Sequence, residues 1–460
     1  MNIYLHVEII ARELNSKLLL ATIAASRGHN VVISNLNGIL NNINKNIFPP
    51  GIFHTKSLTP KIEKINRHDN LLKKGFLITS IDEEGGLIYN DYERMAKSRY
   101  SESTIDQASA VFTWGLDDYE TLKKHYPKNS SKFHMTGSPR ADLWKPFFSD
   151  QSENISELPK KPYLLISPAR PMLFANHMKP FHEIIRLAED SGELNRDPKS
   201  FEQLFNDMGI GYRLTYNFIE AIRYLAKQNN GYDIVLRPHP VENIETWKVY
   251  LKNIPNVHVI RKGSITPWLH NAFALIHNNC TTALEASVSG KPVITFLPFP
   301  QYYDKQIPNR LGLKAKTPEE LLTHVNKIFN SIRSDKTKIN EQIPDIVLNK
   351  INIDNNELST LKIIKVWESL IEDKNLQFSK TINFNWNFGI VKFRYILKKI
   401  FNKLPQAIDK NHKTYWKFPP LNYNYIIEYV NELQQILNIS EKLECKFISD
   451  RTILIKKVKN

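Results

Sequence analysis

The chain has 460 residues, of which 42% are hydrophobic and 24% charged, as is typical of a soluble globular protein with two or three domains. The formal net charge of +15 indicates anionic partners: nucleic acid, nucleotide-bearing substrates or acidic lipid headgroups. The sequence has two cysteines and no apolar run near the roughly 18–20 residues of a membrane span, which excludes a disulfide framework and a transmembrane segment.

The first 150 residues alternate strand-like and helix-like segments. Residues 2–9 are apolar and β-rich, and residues 11–28 have the pattern of an amphipathic helix that closes at Gly28. Further β-rich runs follow at residues 29–35, 74–81 and 108–115. This alternation predicts a mainly parallel sheet. Charged residues before residue 14 interrupt any signal-peptide core, so a cytoplasmic protein is expected.

The alternation restarts after a polar linker at residues 148–162. Strand-like runs are predicted at 163–168, 232–240, 256–260, 273–279 and 292–296, and helices at 213–228, 265–272, 281–290 and 317–332. The sequence therefore predicts two tandem α/β, Rossmann-like domains. We assign the parts as an amino-terminal domain at 1–150, a second domain at 160–345, a helical segment at 346–375 and a basic extension at 376–460.

Three loops that follow predicted strands carry the residues with candidate chemistry. In open α/β sheets, ligands bind beyond the carboxyl ends of the strands. The first loop contains Arg237, His239 and Pro240, and prolines on both sides hold the histidine in one place. A fixed imidazole can hydrogen-bond a phosphate and an arginine can pair with one, although such a histidine can also only pack in a turn.

The second loop leads into the predicted helix at 281–290. The free N–H groups and positive dipole end of that helix, with Asn279 and the hydroxyls of Thr281 and Thr282, form a candidate anion site. Glu285 lies one turn further and can accept a hydrogen bond from a ribose or a base. The alternative is a capped helix without a ligand, of which any α/β protein has several.

The third loop is the acidic run Asp82, Glu83 and Glu84, which two glycines follow. It lies at the end of the strand predicted at 74–81, where a carboxylate can act as a general base or stabilise positive charge on a sugar ring. The glycines would let the backbone approach a ligand closely. The alternative is a solvated acidic turn.

The order of these loops resembles the signature of bacterial sialyltransferases and related ulosonic-acid transferases with the GT-B fold. In that signature an acidic pair precedes a glycine, a His-Pro follows far downstream, and a hydroxyl pair comes last; the corresponding residues here are Glu83-Glu84-Gly85, His239-Pro240 and Thr281-Thr282. The segments DEEGG, TGSPRADLW, RPHP and ALEASVSGKPVITF also resemble landmarks of bacterial capsule and lipopolysaccharide biosynthesis proteins. The resemblance covers roughly residues 1–330.

The resemblance implies a GT-B fold with two domains facing a cleft. It also implies transfer of an acidic sugar (pseudaminic acid, a sialic acid or Kdo) from a CMP-activated donor to a glycan or lipid-linked glycan. Glu83 takes the position of the base, with Asp82 or Glu84 as alternatives. His239 and the threonine pair would hold the leaving phosphate, so neither a metal nor a cofactor is expected. The adjacent aspartates at 117–118 predict a helix N-terminus instead of a metal motif.

Two other functions remain open at this stage. A polyol-phosphate transferase that uses CDP-glycerol would share the RPHP-like loop and the phosphate site, but would depend less on the acidic run; a UDP-N-acetylglucosamine-type epimerase is a more distant option. A nucleic-acid binder is suggested by the isoelectric point near 9.4. No RRM, KH or helix-turn-helix pattern supports that binder, so no nucleic-acid partner is expected.

The basic charge is concentrated at the end of the chain. Residues 375–460 hold 15 Lys and Arg against 6 Asp and Glu. Within them, residues 391–404 form an apolar stripe at helical spacing with lysines on its flanks, which is typical of an interfacial membrane helix. We therefore expect peripheral association with the inner face of the membrane, although packing of the stripe on the α/β body is the alternative.

Overall fold

The computed structural model describes residues 1–149, 158–168, 185–186, 189, 194, 197–228, 231–239, 242–302, 304–334, 342–373 and 417–458. The chain divides into two compact units. The first comprises Met1–Gly86, Asp91–Leu143 and Leu348–Asn460, and the second comprises Leu87–Asn90 and Trp144–Val347. Among the described residues, no helix combines the length and apolar character needed to cross a bilayer. The predicted amphipathic helix at 391–404 lies outside them.

The first unit contains one eight-stranded sheet. Its strands are β1 (Asn2–His6), β2 (Asn30–Ser34), β3 (Ile52–Thr55), β4 (Leu77–Ile81), β5 (Ala110–Thr113), β6 (Phe133–Met135), β13 (Leu443–Ser449) and β14 (Thr452–Lys457). Its helices are α1 (Ile10–Ser26), α2 (Leu36–Asn44), α3 (Ile62–Lys73), α4 (Glu93–Arg99), α5 (Glu102–Asp106), α6 (Leu116–His125), α7 (Pro139–Asp142), α15 (Ser359–Asp373) and α16 (Tyr423–Ile436), with a 3-10 helix at Pro127–Lys132. Helix α14 (Asp345–Lys350) begins in the second unit and ends in the first.

The strand order of this sheet is β13-β14-β2-β1-β3-β4-β5-β6. Strands β1 to β6 are parallel, because each is followed by a crossover that returns the chain to the same edge. The chain moves from β1 outward to β2 and then back across β1 to β3, so the order reverses between β1 and β3. Ligands of doubly wound sheets bind at such a reversal, beyond the carboxyl ends of the strands.

The carboxyl-terminal hairpin extends the first sheet, a placement that the sequence pattern did not predict. Strand β14 pairs antiparallel with β2, with Thr452 opposite Ser34, and β13 pairs with β14. Ile453, Leu454 and Ile455 are completely buried, which explains why the hairpin joins the core. The end of the basic extension is thus part of the first unit. The domain boundaries drawn from the sequence remain a prediction.

The second unit contains a six-stranded parallel sheet. Its strands are β7 (Tyr163–Ser167), β8 (Asp233–Leu236), β9 (Val257–Val259), β10 (Ala274–His277), β11 (Val293–Phe296) and β12 (Leu313–Ala315). Its helices are α8 (Pro198–Gln228), α9 (Ile244–Tyr250), α10 (Thr266–Asn271), α11 (Thr282–Val288), α12 (Ile307–Arg310) and α13 (Pro318–Ser334). Thr317 caps the start of α13, because the Glu320 amide donates to Thr317 Oγ1 at 3.3 Å.

The strand order of the second sheet is β12-β11-β10-β7-β8-β9, which is the Rossmann order, with its reversal between β7 and β10. Aliphatic and aromatic side chains from α8, α9, α13 and the strands form the core of this unit, including Phe218, Trp247 and Phe296. Because β8, β7 and β10 are adjacent and parallel, the loops that follow them meet at one edge. These loops include the Arg237–His239 loop and the Thr281–Thr282 loop.

Candidate functional site

The acidic run forms a tight turn directly after β4, and Asp82 organises that turn. Its carboxylate binds Arg99 through two contacts, at 2.5 Å to Nε and 2.9 Å to an η nitrogen. It also accepts the Glu84 amide at 2.9 Å, while the Asp82 carbonyl accepts the Gly85 amide and the Trp114 indole N–H. Burial raises the pKa of Asp82, and the Arg99 contact only partly offsets this effect. Asp82 therefore stabilises the conformation of the turn.

The two glycines serve the same turn. Gly85 and Gly86 have φ of +62° and +59°, in the left-handed region that side chains disfavour. A Cβ at Gly86 would lie 2.7 Å from the Tyr92 ring, and one at Gly85 would lie 3.0 Å from Trp114. The sequence suggested that these glycines admit a ligand. In the structure, the conformation of the turn and the packed aromatic rings account for them.

Glu83 lies inside the first unit and pairs with a lysine from α1. Lys17 Nζ is 2.7 Å from Glu83 Oε1, and the side chains are 1% and 3% exposed. Burial raises the pKa of Glu83, but Lys17, Arg140 and Arg12 outweigh it and hold the pKa below its ordinary value. Glu83 Oε2 is buried and has no hydrogen-bond partner among the described residues. Glu83 is therefore an ionised carboxylate that solvent does not reach.

A second buried carboxylate, Glu13, lies beside this pair. It accepts the Glu8 amide at 2.8 Å and pairs with Arg12 at 3.0 Å. Burial and the charge of Glu83 raise the pKa of Glu13 to about 7. Neither Glu13 nor Lys17 was recognised from the sequence as part of this group. The sequence feature that could have identified them is the spacing of Glu13 and Lys17, two opposite charges four residues apart within the largely apolar first helix.

Glu84 is the member of the acidic run that faces solvent. Its side chain is 45% exposed and binds Arg12 at 3.1 Å. Partial burial raises the pKa of Glu84, but the charges of Arg12, Arg99 and Lys56 outweigh that effect and lower the pKa below its ordinary value. Of the three carboxylates, Glu84 is the one that combines a lowered pKa with an exposed side chain.

In the second unit, Arg237 holds its own loop together. The side chain is 5% exposed and donates to the carbonyls of Lys262 and Gly263, both at 2.9 Å. Its guanidinium also lies over the Trp268 ring, 5.0 Å from the centroid. Burial lowers the pKa of Arg237 to about 10, so it remains charged at neutral pH. These contacts fix the direction in which the chain leaves β8.

His239 is half-buried, and its backbone is fixed by a carboxylate. The His239 amide donates to Glu242 Oε2 at 2.5 Å, and the Glu242 amide donates back to the His239 carbonyl at 2.9 Å. Burial raises the pKa of Glu242 to about 8. The sequence analysis did not identify Glu242 as a support for this loop. The predicted site residue Pro240 lies outside the described residues.

The loop after β10 places the predicted anion-binding residues at the start of α11. Asn279 has a φ of +44°, its amide donates to Asn309 Oδ1 at 2.6 Å, and its Oδ1 is buried without a partner in the described part of the chain. Thr281 is half-buried at the N-cap position and makes no capping hydrogen bond with its side chain. Thr282 is buried, with its hydroxyl 3.1 Å from Cys280 Sγ. Thr281 is thus the threonine with the more accessible hydroxyl.

Helix α10 connects the two loops of the second unit. Its Trp268 lies under Arg237, and its Thr266 hydroxyl donates to Glu285 Oε2 at 3.4 Å. Glu285 is buried on α11. The structure therefore brings the predicted residues Arg237 and Glu285 to one edge of the sheet through a helix that sequence reasoning did not connect to the site.

Among the described residues, no group of three His, Cys, Asp or Glu side chains is arranged to hold a metal ion. Asp118, which belongs to the adjacent aspartate pair, accepts the amides of Trp114 and Gly115 at 2.7 and 2.8 Å at the start of α6. The predicted role of this pair as a helix N-terminus is confirmed.

Comparison with known proteins shows the fold. No protein-family model matches the sequence, and no curated protein matches it. Among solved structures, a histidine variant of the wall teichoic acid polymerase TagF soaked with CDPG has a TM-score of 0.51 at 10% identity, over 82% of this chain and 90% of that one. A second TagF variant gives 0.51 and 10%, over 82% and 89%. The predicted GT-B class, mixed α/β with two Rossmann-like parts and parallel sheets, is confirmed.

Proposed function

We propose that this protein is a bacterial surface-glycan glycosyltransferase that moves an acidic sugar from a CMP-activated donor to a glycan or lipid-linked glycan. The observation that carries the proposal is the placement of all three signature loops at the carboxyl ends of parallel strands. The acidic turn follows β4 in the first unit, and the His239 and Thr281 loops follow β8 and β10 in the second. The fold supports the proposal, because open α/β sheets bind their ligands beyond the carboxyl ends of the strands.

In this proposal the second unit binds the nucleotide. His239 and Thr281 are half-buried side chains at the edge of the sheet, and each can donate a hydrogen bond to the donor phosphate. Thr282 and Asn279 shape the loop, and Glu285, which accepts a hydrogen bond from Thr266, is the candidate acceptor for the nucleoside. Arg237 supports the loop through its two carbonyl contacts and does not meet the phosphate directly.

The catalytic carboxylate in this proposal is Glu84. The family signature placed the base at Glu83, but that side chain is 3% exposed and paired with Lys17, whereas Glu84 is 45% exposed. During transfer, the bond between the anomeric carbon and the donor phosphate breaks, and the acceptor oxygen bonds to that carbon. The acceptor proton passes to Glu84, and the negative charge remains on CMP. Asp82 and Glu83 keep Glu84 in position.

In this mechanism, side chains of the protein stabilise the negative charge on the leaving CMP. The His239 imidazole and the Thr281 hydroxyl would stabilise it as it develops, so a metal ion and an organic cofactor are not required. Hydrogen bonds to a charged group are stronger than neutral ones, typically about 1.5–3 kcal/mol each. We propose no nucleic-acid partner.

A CDP-linked donor is the second candidate, and the likeness to TagF favours it. One TagF structure was obtained with CDPG, and it shares the fold of this chain at a TM-score of 0.51. A transferase of a polyol phosphate would use the same phosphate-binding loop in the second unit. It would depend less on a carboxylate in the first unit, because the bond that breaks lies within the diphosphate.

The test is nucleotide release by the full-length protein. CMP release is measured from CMP-sialic acid, CMP-pseudaminic acid and CMP-Kdo, and from CDP-glycerol, with candidate acceptors present. We expect turnover of one CMP-sugar and a loss of about 10²–10⁴-fold in Glu84→Gln. The control is Glu120→Gln, which changes an exposed carboxylate on α6. Turnover of CDP-glycerol alone, or a normal rate in Glu84→Gln, would overturn the CMP-sugar mechanism.

We also propose, from the sequence pattern alone, that residues 391–404 bring the protein to anionic membrane surfaces. Lys398 and Lys399 lie in that segment, and each basic residue near such a surface contributes about 1 kcal/mol. Sedimentation with anionic liposomes at low and high salt, with Lys398→Glu/Lys399→Glu as the comparison, tests this. Wild-type protein that stays in the supernatant at low salt would contradict it.

A further inference from the structure

A group of basic side chains lies next to the acidic turn, and the proposed mechanism does not use it. Lys56 follows β3 directly, and its carbonyl accepts the Glu83 amide at 3.1 Å. Lys64 lies on α3 and donates to the Ser57 carbonyl, to Ser57 Oγ at 2.7 Å and to Thr59 Oγ1 at 2.6 Å. The loop after β3, the start of α3 and the acidic turn are therefore one connected structure.

Arg67 lies three residues after Lys64, on the same face of α3. Its Nε is buried and has no hydrogen-bond partner in the described part of the chain. A buried donor without a partner is costly in a folded protein, typically about 1–3 kcal/mol, and more when the group is charged. A ligand that completes the hydrogen bond would account for such a donor.

The position of this group matches a ligand site. The order of the first sheet reverses between β1 and β3, and His6 and Lys56 lie at the carboxyl ends of those two strands. In doubly wound sheets, ligands occupy the crevice at this reversal. Helix α3, which carries Lys64 and Arg67, begins seven residues after β3 ends.

The charges in this group are not balanced. Lys56 pairs with Glu8, which also binds Lys417, and Arg99 pairs with Asp82. Among the described residues, neither Lys64 nor Arg67 pairs with a carboxylate. Two half-buried cations on one helix face, close to further cations, repel one another unless an anion lies between them.

The excess of positive charge also affects His6. It is 7% exposed, and its Nδ1 is buried without a partner among the described residues. Burial lowers its pKa well below the ordinary value, and the charges of Lys56, Arg67 and Lys64 lower it further. Burial, followed by the nearby Arg67, likewise lowers the pKa of Lys64 to about 7. Burial is the largest cause of both shifts, and among the nearby charges the cations outweigh the opposing Asp82 carboxylate at Lys64, so the charges around this group are mainly positive.

We propose that Lys64 and Arg67, with Lys56 beside them, form an oxyanion-binding subsite in the first unit that takes a phosphate or carboxylate group of the acceptor. This inference rests on the proposed transferase function. The Lys56 carbonyl is bonded to the turn that carries Glu84, so an anion held here places the rest of the acceptor next to that carboxylate. Arg67 supplies the buried unpartnered donor and a positive charge, and Lys64, whose three N–H groups already bind Ser57 and Thr59, adds a positive charge that a bound anion would stabilise.

The direct test is anion binding by the full-length protein without donor. Calorimetric titrations with inorganic pyrophosphate and with glucuronate distinguish a phosphate from a carboxylate ligand. We expect one of the two to bind wild type, Arg67→Gln to weaken that binding by about 10-fold or more, and Arg67→Lys to recover part of it. The control Lys73→Gln removes an exposed lysine from the last turn of α3 and should bind normally.

Stability provides an independent readout. Because Arg67 is an uncompensated charge in the free protein, Arg67→Gln should leave the free energy of unfolding unchanged or raise it, even though anion binding falls. No binding of either anion to wild type, equal losses in Arg67→Gln and Lys73→Gln, or loss only in His239→Ala would overturn the proposal. A folding defect in Arg67→Gln would also contradict it, because the side chain would then have a structural role.

Turnover separates this inference from the proposed function. With acceptor present, Arg67→Gln should raise the KM for acceptor, while CMP release from donor in the absence of acceptor stays normal. If no donor is turned over at all, the transferase proposal fails, and the anion titrations still decide whether the subsite exists. If donor is turned over and the KM for acceptor is unchanged in Arg67→Gln, the role of the subsite in acceptor binding is wrong.

Discussion

Lys17→Met tests whether the buried ion pair with Glu83 holds the acidic turn in place. The two charged atoms are 2.7 Å apart, and the side chains are 1% and 3% exposed. Removal of one partner from a buried pair leaves the other charge uncompensated, at a cost of about 3–5 kcal/mol. We expect the free energy of unfolding to fall by about this amount at pH 7, where Glu83 is ionised.

The variant should also change how stability depends on pH. Lys17 lowers the pKa of Glu83 more than Arg140 or Arg12 does, so without Lys17 burial should outweigh the remaining charges and place the pKa of Glu83 above its unfolded value. The folded state would then hold a proton that the unfolded state releases. The stability of Lys17→Met should therefore be greatest at low pH and fall as pH rises through the raised pKa. Urea unfolding at pH 5 and pH 8 measures this, and the penalty relative to wild type should be smaller at pH 5.

A double-mutant cycle isolates the pair. Lys17→Met/Glu83→Gln removes both charges and should be more stable than the sum of the single effects allows, by roughly 2 kcal/mol or more. The control is Lys97→Met, which breaks a 3.9 Å pair with Glu93 on the surface and should cost less than about 1 kcal/mol. Additive single effects, or a loss in Lys17→Met no larger than in the control, would refute the reasoning.

Two further predictions concern the second unit. His239→Ala should weaken CMP binding by about 10-fold or more, because an imidazole hydrogen bond to phosphate is lost. Thr281→Val should have a smaller effect, because backbone N–H groups remain. Unchanged CMP affinities, measured by calorimetry, would mean that His239 only packs in its loop. Glu242→Gln should make stability depend less on pH. Burial raises the pKa of Glu242 in the folded state to about 8, so the contribution of Glu242 to the free energy of unfolding is complete below the unfolded pKa near 4.5 and is lost as pH rises through 8. Denaturation at pH 5, 7 and 9 should show a decline, on the order of a few kcal/mol, that is larger in wild type than in Glu242→Gln, and parallel profiles would contradict this.

The main features of the fold could be predicted from the sequence because periodicity and caps are local signals. The amphipathic pattern at residues 11–28 corresponds to α1, and the Thr317-Pro318 start corresponds to α13. The missed strands lack such signals. Strand β3 has only four residues, follows a Pro-Pro-Gly segment and contains His54, although it is buried near the centre of the first sheet. Its pairing with β1 and β4 forms it, and that is a long-range effect.

The missed strand also concealed the basic group. When β3 is not recognised, Lys56 is an ordinary loop residue, and Lys64 and Arg67 are ordinary charges on a helix that itself was not predicted. Only the pairing of β3 with β1 shows that they lie where the strand order reverses. The hairpin β13–β14 was missed for a related reason, because its partner β2 precedes it by more than 400 residues.

The three adjacent carboxylates differ in their surroundings because each meets a different, distant cation. Asp82 meets Arg99 from α4, Glu83 meets Lys17 from the middle of α1, and Glu84 meets Arg12 near the beginning of that helix. A motif of three residues records none of these partners, so the family signature could not choose among the acids. Burial makes the choice, because a base must touch its substrate. Glu83, the position that the resemblance implies, is buried against Lys17, whereas its neighbour Glu84 is exposed, and the proposed mechanism therefore assigns the base to Glu84.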